Sequence, residues 1–313
     1  MGAAPRPQLR LGPRLRRRSP RGAQLAPLIA PERAPASPSR PGATAQLPCG
    51  AMFWRRRRPP ATEAFAPRWR DLLEERMALW AQLDPGERRD LEATALWLLA
   101  TKRWEASHGF TLTQDMRVTI AAQASLVVLG LGRDPYRIVS AIVVHPSTVT
   151  LRGERAGPVP GTVTQGPLPI LGQASDERGP MLIAWDAVLR DGAHPERGMN
   201  VVHHEFAHKI DMLDGYADGV PPLGDRVTRR RWDEVCGATF ASLRAGRDHP
   251  VLRSYGAVNL AEHFAVATEA FFNRPVDLVD HEPDLYGVLA DVYLQDPAAR
   301  ARRWEASRPP AGP

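Results

Sequence analysis

The run Val201-Val202-His203-His204-Glu205-Phe206-Ala207-His208-Lys209-Ile210-Asp211 constrains this chain more than any other stretch. Its apolar residues predict a helix packed into the protein, and His204 and His208, four apart, then share one face about one turn apart. That face offers two imidazole nitrogens to one metal ion, with Glu205 beside them as a base for a water molecule. Without a metal the same helix would bury costly polar groups. Chance would give a random chain of this composition the same pattern in roughly one or two cases per hundred.

Two histidines do not close a catalytic zinc site, which keeps three protein ligands and one open position. A helix expected over Asn259–Phe272 carries Glu262 and Glu269, seven apart and hence on one face, flanking Val266. On spacing alone either serves as the third ligand. Asn259-Leu260-Ala261-Glu262 also reads as a capping box in which Glu262 reaches back to the Asn259 amide, and Glu269 also reads as a surface acid or one that supports a ligand. Asp211, on the ligand face, is either a partner that orients an imidazole or a surface acid near the helix end. His108, His145, His194, His249, His263 and His281 show no metal-ligand spacing, and His263 points about 100° away from Glu262 around its helix.

The segment His204–Asp211, taken with Glu262-His263-Phe264-Ala265-Val266-Ala267-Thr268-Glu269-Ala270-Phe271-Phe272, resembles the Mlc titration factor A family of bacterial zinc peptidases. Wider relatives of that family include the anthrax lethal factor catalytic domain. The similarity runs from about Phe65 to Pro297 and takes in Ala121-Ala122-Gln123-Ala124, Val144-His145-Pro146-Ser147 and Gly179-Pro180-Met181. It implies a zincin-like α+β domain, mostly helical with a small sheet, holding one Zn²⁺ through His204, His208 and Glu262. It further implies Glu205 as the catalytic base and Tyr255, seven residues before Glu262, as a catalytic hydrogen-bond donor to the developing oxyanion. His203 stands where the family is usually apolar and is not expected to be a ligand. Peptide substrates, aminopeptidase-type activity and a link to sugar uptake through a transcriptional repressor are implied in the same way. The alternative is a non-catalytic, zinc-stabilised protein that sequesters a DNA-binding repressor. An intact Glu205 argues against it, because a purely structural site needs no base.

Around the motif the chain reads as helices with two short strands. Apolar spacing predicts a helix over Trp69–Leu83, and Asp84-Pro85-Gly86-Glu87 supplies a cap, a first-position proline and a capping-box acid for the next, ending near Lys102. Thr113 opens a third helix towards Leu129. Arg137–Val144 and Met181–Trp185 read as strands, Pro158–Pro169 as a Gly/Pro-rich loop. Helices are expected near Asn200–Leu213, Arg231–Leu243, Asn259–Phe272 and Pro283–Leu294, the last stopped by Asp296-Pro297. Trp104, Trp185 and Trp232 are expected in the core or at its rim. Residues 61–300 are taken as one domain and 301–313 as a flexible tail.

Composition sets the remaining bounds. Residues 1–60 hold thirteen arginines against one acid, Glu32, so the rest of this +6 chain is net acidic. Nucleic acid is therefore not expected as a target of the folded part. The same sixty residues, rich in proline and lacking any hydrophobic period, are expected to be a disordered extension, with Met52 as an alternative start. Only Cys49 and Cys236 are present, which excludes a disulfide framework. The most apolar stretch, Ile120–Gly132, is too short to span a bilayer, so no membrane association is expected. The chain reads as soluble and cytoplasmic.

Overall fold

The computed structural model describes residues 64–308 apart from 108, 148, 152–153, 157–162, 166–167, 171 and 175–178. The expected extension over residues 1–60, including Met52, lies outside the described residues, as do residues 309–313.

Local signals at helix starts act as the sequence suggests. Helix α1 (Pro67–Arg76) begins on a proline, and α2 (Pro85–Thr101) has a complete capping box, with Asp84 accepting from Glu87 N while Glu87 accepts from Asp84 N. Thr113 caps α3 (Gln114–Val127). The helix expected over Trp69–Leu83 is in fact two pieces. The chain leaves helical geometry at Met77 (φ −134°) and resumes as a 3-10 turn, Ala78–Gln82, which buries Leu79 and Trp80. Burial of these side chains, each worth about 1.5–3 kcal/mol, decides against an unbroken helix.

Strands from either side of α3 in the chain build a four-stranded sheet. Strands β1 (Arg103–Ala106), β2 (Ala141–His145) and β8 (Met181–Ala184) run parallel, and β7 (Gly172–Ala174) joins the β8 edge antiparallel, giving the order β1-β2-β8-β7. Between β2 and β7 lie two short antiparallel pairs, β3 (Val149–Leu151) with β6 (Leu168–Ile170) and β4 (Glu154–Ala156) with β5 (Val163–Gln165). Part of the loop expected at Pro158–Pro169 lies outside the described residues; its remainder includes β5 and enters β6. Arg137 and Ile138, expected in a strand, fall in a 3-10 turn opened by Asp134-Pro135, where the proline fixes a turn geometry. Trp185 begins α4 (Trp185–Ala193) and does not extend β8.

The remaining helices are α5 (Val201–Asp211), α6 (Arg226–Arg244), α7 (Leu260–Asn273), α8 (Pro275–His281), α9 (Pro283–Tyr293) and α10 (Pro297–Ser307). Asp296-Pro297 starts a helix as well as ending one. Asp296 caps α10 by accepting from Ala299 N, and the buried Arg300 pairs with Glu87 of α2. Residues 301–307, assigned to a tail by the sequence, therefore continue a docked helix.

Helix α5 occupies the centre. It packs against α7, α3 and the β7–β8 edge of the sheet. Val202, Phe206, Ala207 and Ile210 are buried, and the Phe206 ring packs at a tilt against Tyr136, whose hydroxyl donates to Ala124 O in α3. These contacts fix the azimuth of α5 and direct its histidine face towards α7. No helix among the described residues is long and apolar enough to cross a membrane.

Candidate metal centre

Asn200 starts α5 from an extended backbone (φ −159°), its side chain accepting from His203 N at 3.0 Å. One turn later His204 and His208 project side by side, ring centroids 4.8 Å apart. Facing them, α7 begins at Asn259, whose side chain accepts from Glu262 N at 2.8 Å. Only this half of the anticipated capping box forms. The Glu262 carboxylate turns instead towards α5, 3.0 Å from His204 Nε2 and 3.6 Å from His208 Nε2, while the two Nε2 atoms lie 3.2 Å apart.

Those three separations suit a metal. A tetrahedral ion with ligand bonds of about 2.0–2.1 Å spaces its ligand atoms about 3.3–3.4 Å from one another. His204, His208 and Glu262 are the one group of His, Cys, Asp or Glu side chains among the described residues whose atoms converge this way. Their electrostatics favour a positive guest. Burial alone would depress the His204 imidazolium, but the Glu269 charge and hydrogen bonds with Glu262 and Glu269 outweigh it and hold the group well above the ordinary imidazole value. Burial likewise opposes the Glu262 carboxylate, and its hydrogen bond with His204 together with the close approach of His208 overcomes that and holds it below the usual carboxylate range.

Glu205 is buried on the same helix, and its charge acts on both His204 and Tyr255. Tyr255 stands in a 3-10 turn, Ser254–Ala257, whose Gly256 lies close to α7: an added Cβ would be tight against Leu243 and in contact with Val266. The Tyr255 ring lies 6.1 Å from that of His204. Burial first, then the Glu262 and Glu205 charges, push its hydroxyl far above the ordinary phenol value, so it remains a donor.

The other candidates separate cleanly. Glu269 is buried and approaches the far edge of His204, with Oε2 3.4 Å from Nδ1. Asp211 makes no hydrogen bond to an imidazole; its Oδ2 accepts from Gly219 N at 3.0 Å, and burial pushes its carboxyl up to about 6. Gly219 (φ +79°) passes so close to the start of α7 that an added Cβ would lie 2.3 Å from Leu260 O. Asp211 thus ties a loop to the two site helices. His203 is buried against Phe272, outside the ligand group, and burial lowers it to about 3. His263 bonds Thr239 and His249 caps a turn through Val251 N and Leu252 N. Trp232 is buried and donates to Gly219 O, while Trp104 and Trp185 are half-buried. Arg253, which contacts Glu269 and lies over the Tyr255 ring, carries no spacing signal that sequence reasoning could have used.

Comparison with known proteins gives this site its setting. The family model described as glucose-regulated metallo-peptidase M90 matches residues 51–294. The chain belongs to the M90 metallopeptidase family. Among its relatives is an uncharacterised protein of Synechocystis sp., 35% identical over 234 residues, covering 74% of this chain and 85% of the relative. Mlc titration factor A of Serratia proteamaculans is 32% identical, covering 81% of this chain and 95% of its own length. The Mlc titration factor A of Yersinia pestis is 31% identical over 82% and 93%. The M90 match includes all of α5 and α7, and so both walls of the histidine–glutamate cluster.

Proposed function

We propose that this protein is a zinc-dependent peptidase of aminopeptidase type, built on a zincin-like domain and working in the cytoplasm. The observation that carries the reading is the convergence of His204, His208 and Glu262 on one point beside the buried Glu205. His204, His208 and Glu262 would hold one Zn²⁺ per chain. Bound there, zinc supplies Lewis acidity that polarises a carbonyl and makes water a better nucleophile near neutral pH. Glu205 accepts the proton of the attacking water and delivers it to the leaving amine. Tyr255, kept protonated by burial and by its acidic neighbours, donates a hydrogen bond to the oxygen on which negative charge develops.

Hydrolysis of a panel of peptides and amino-acyl amides by the zinc-loaded protein tests this directly, with chelator-treated protein alongside. Metal-dependent cleavage that requires a free amino terminus is expected; cleavage indifferent to chelation would remove the metal from the mechanism. Tyr255→Phe should lower kcat by ~10²–10³-fold with full metal content, the usual cost of one oxyanion donor. An unchanged kcat would leave Tyr255 a packing residue.

The relatives' name, Mlc titration factor A, favours a second reading in which the biological act is binding a transcriptional repressor. Under it the zinc-bound protein would hold the repressor equally well with Glu205 replaced, and the peptide panel would remain uncut.

A further inference from the structure

We infer that Glu269 and Arg253 form a relay that sets the orientation of His204, making both of them positioning residues for the metal. The inference rests on the metal-holding reading of the site and concerns what holds the ligands still.

His204 is gripped at both edges by one helix. Glu262 faces its Nε2, and Glu269, two turns further along α7, faces its Nδ1 at 3.4 Å. A carboxylate at Nδ1 accepts, so when Nε2 gives up its proton to a metal the remaining ring proton would stay on Nδ1 and the Nε2 lone pair would be directed into the cluster. The seven-residue spacing that makes the two glutamates equivalent in the sequence is what lets α7 reach both edges of the ring.

Glu269 is itself immobilised. Its Oε1 accepts from the backbone N–H of Asn200 at 2.9 Å, and its Oε2 accepts from Arg253 Nη2. Asn200 caps the helix that carries His204, so the carboxylate is registered against the same element whose side chain it orients. Arg253 brings the positive charge that a buried carboxylate needs, and its guanidinium lies 6.0 Å from the Tyr255 ring. The chain Arg253–Glu269–His204 therefore couples the tyrosine turn to one ligand. Among the described residues no carboxylate is hydrogen-bonded to His208 Nδ1 in this way: Asp211, nearest in kind, acts on His208 by charge while its Oδ2 accepts from Gly219 N.

A salt bridge that merely pinned the Ser254–Ala257 turn to α7 would change thermal stability and leave metal affinity alone. The full chain, stripped of metal, should be titrated with Zn²⁺ against a chromophoric chelator as wild type, Glu269→Gln, Arg253→Gln and the double variant, with the Tm of each metal-free protein recorded. Glu269→Gln should weaken zinc by ~10–100-fold, the usual effect of losing a ligand's supporting carboxylate. Arg253→Gln should weaken it in the same direction, the double variant should match Glu269→Gln, and Arg253→Lys, which keeps a charge beside Glu269, should recover part of the loss. Unchanged zinc affinity in Glu269→Gln overturns the relay, as do independent, multiplying effects of the two substitutions. If Glu269→Gln does not fold, the Arg253→Gln and Arg253→Lys pair decides by the same affinity measurement. A wild type that binds no zinc would instead sink the metal reading of the site itself.

Discussion

Glu205→Gln is expected to keep one zinc per chain and to lose peptide hydrolysis by ~10²–10⁴-fold, the range over which a positioned general base acts. Glutamine preserves the volume and the hydrogen-bonding oxygen of Glu205, so α5 and its ligand pair should remain in place. What it removes is the capacity to take a proton. Glu205 is buried and directly follows His204 in α5, and its charge acts on His204 and on Tyr255, the proximity on which this expectation rests. The expected loss corresponds to about 3–5 kcal/mol of transition-state stabilisation. Metal analysis and kcat on one cleaved peptide, measured on the same preparation, are sufficient. A variant that turns over at the wild-type rate would mean that another group moves the proton. If neither protein cleaves while both hold zinc, the repressor-binding reading gains.

What the sequence could disclose depended on whether the deciding interaction was local. The caps at Asp84, Thr113 and Asn259 bond residues within three positions, so their patterns are legible and the helices begin where they predict. The histidine pair is equally local, one turn of one helix. By contrast, Arg103-Trp104-Glu105-Ala106 alternates over only four residues, half of them charged, too short a signal to read as a strand, and it becomes one because β2 pairs with it, Trp104 opposite Ile142. Helix α10 follows a dipeptide that reads as a stop, and it is docked by Arg300 on Glu87, more than two hundred residues away in the chain. The same limit applies within the site. Period alone puts Glu262 and Glu269 on one face of α7; which of them meets Nε2 and which meets Nδ1 depends on how α7 crosses α5. Asp211, equally plausible by position, is claimed by the Gly219 amide, a contact that requires the loop after α5 to fold back. Arg253 belongs to no motif, and only the fold brings it to Glu269.

Glu262→Ala should therefore behave unlike any change at Glu269. Free energies of about 10–16 kcal/mol for four-ligand zinc sites, shared among the ligands, put one ligand at about 3 kcal/mol, so affinity should fall at least ~100-fold. The loss should exceed that estimate where the pair is left without its carboxylate. With Glu262 gone, His204 Nε2 and His208 Nε2 still face each other 3.2 Å apart, and no other acid among the described residues completes the group. The variant should then lose zinc during dialysis against a weak chelator, whereas Glu269→Gln should still fill its site at excess zinc. Zinc content after such dialysis reads the difference. Zinc kept by Glu262→Ala and lost from Glu269→Gln would exchange the roles of the two glutamates, and would require the His204 ring to turn over, presenting Nδ1 to the metal in place of Nε2.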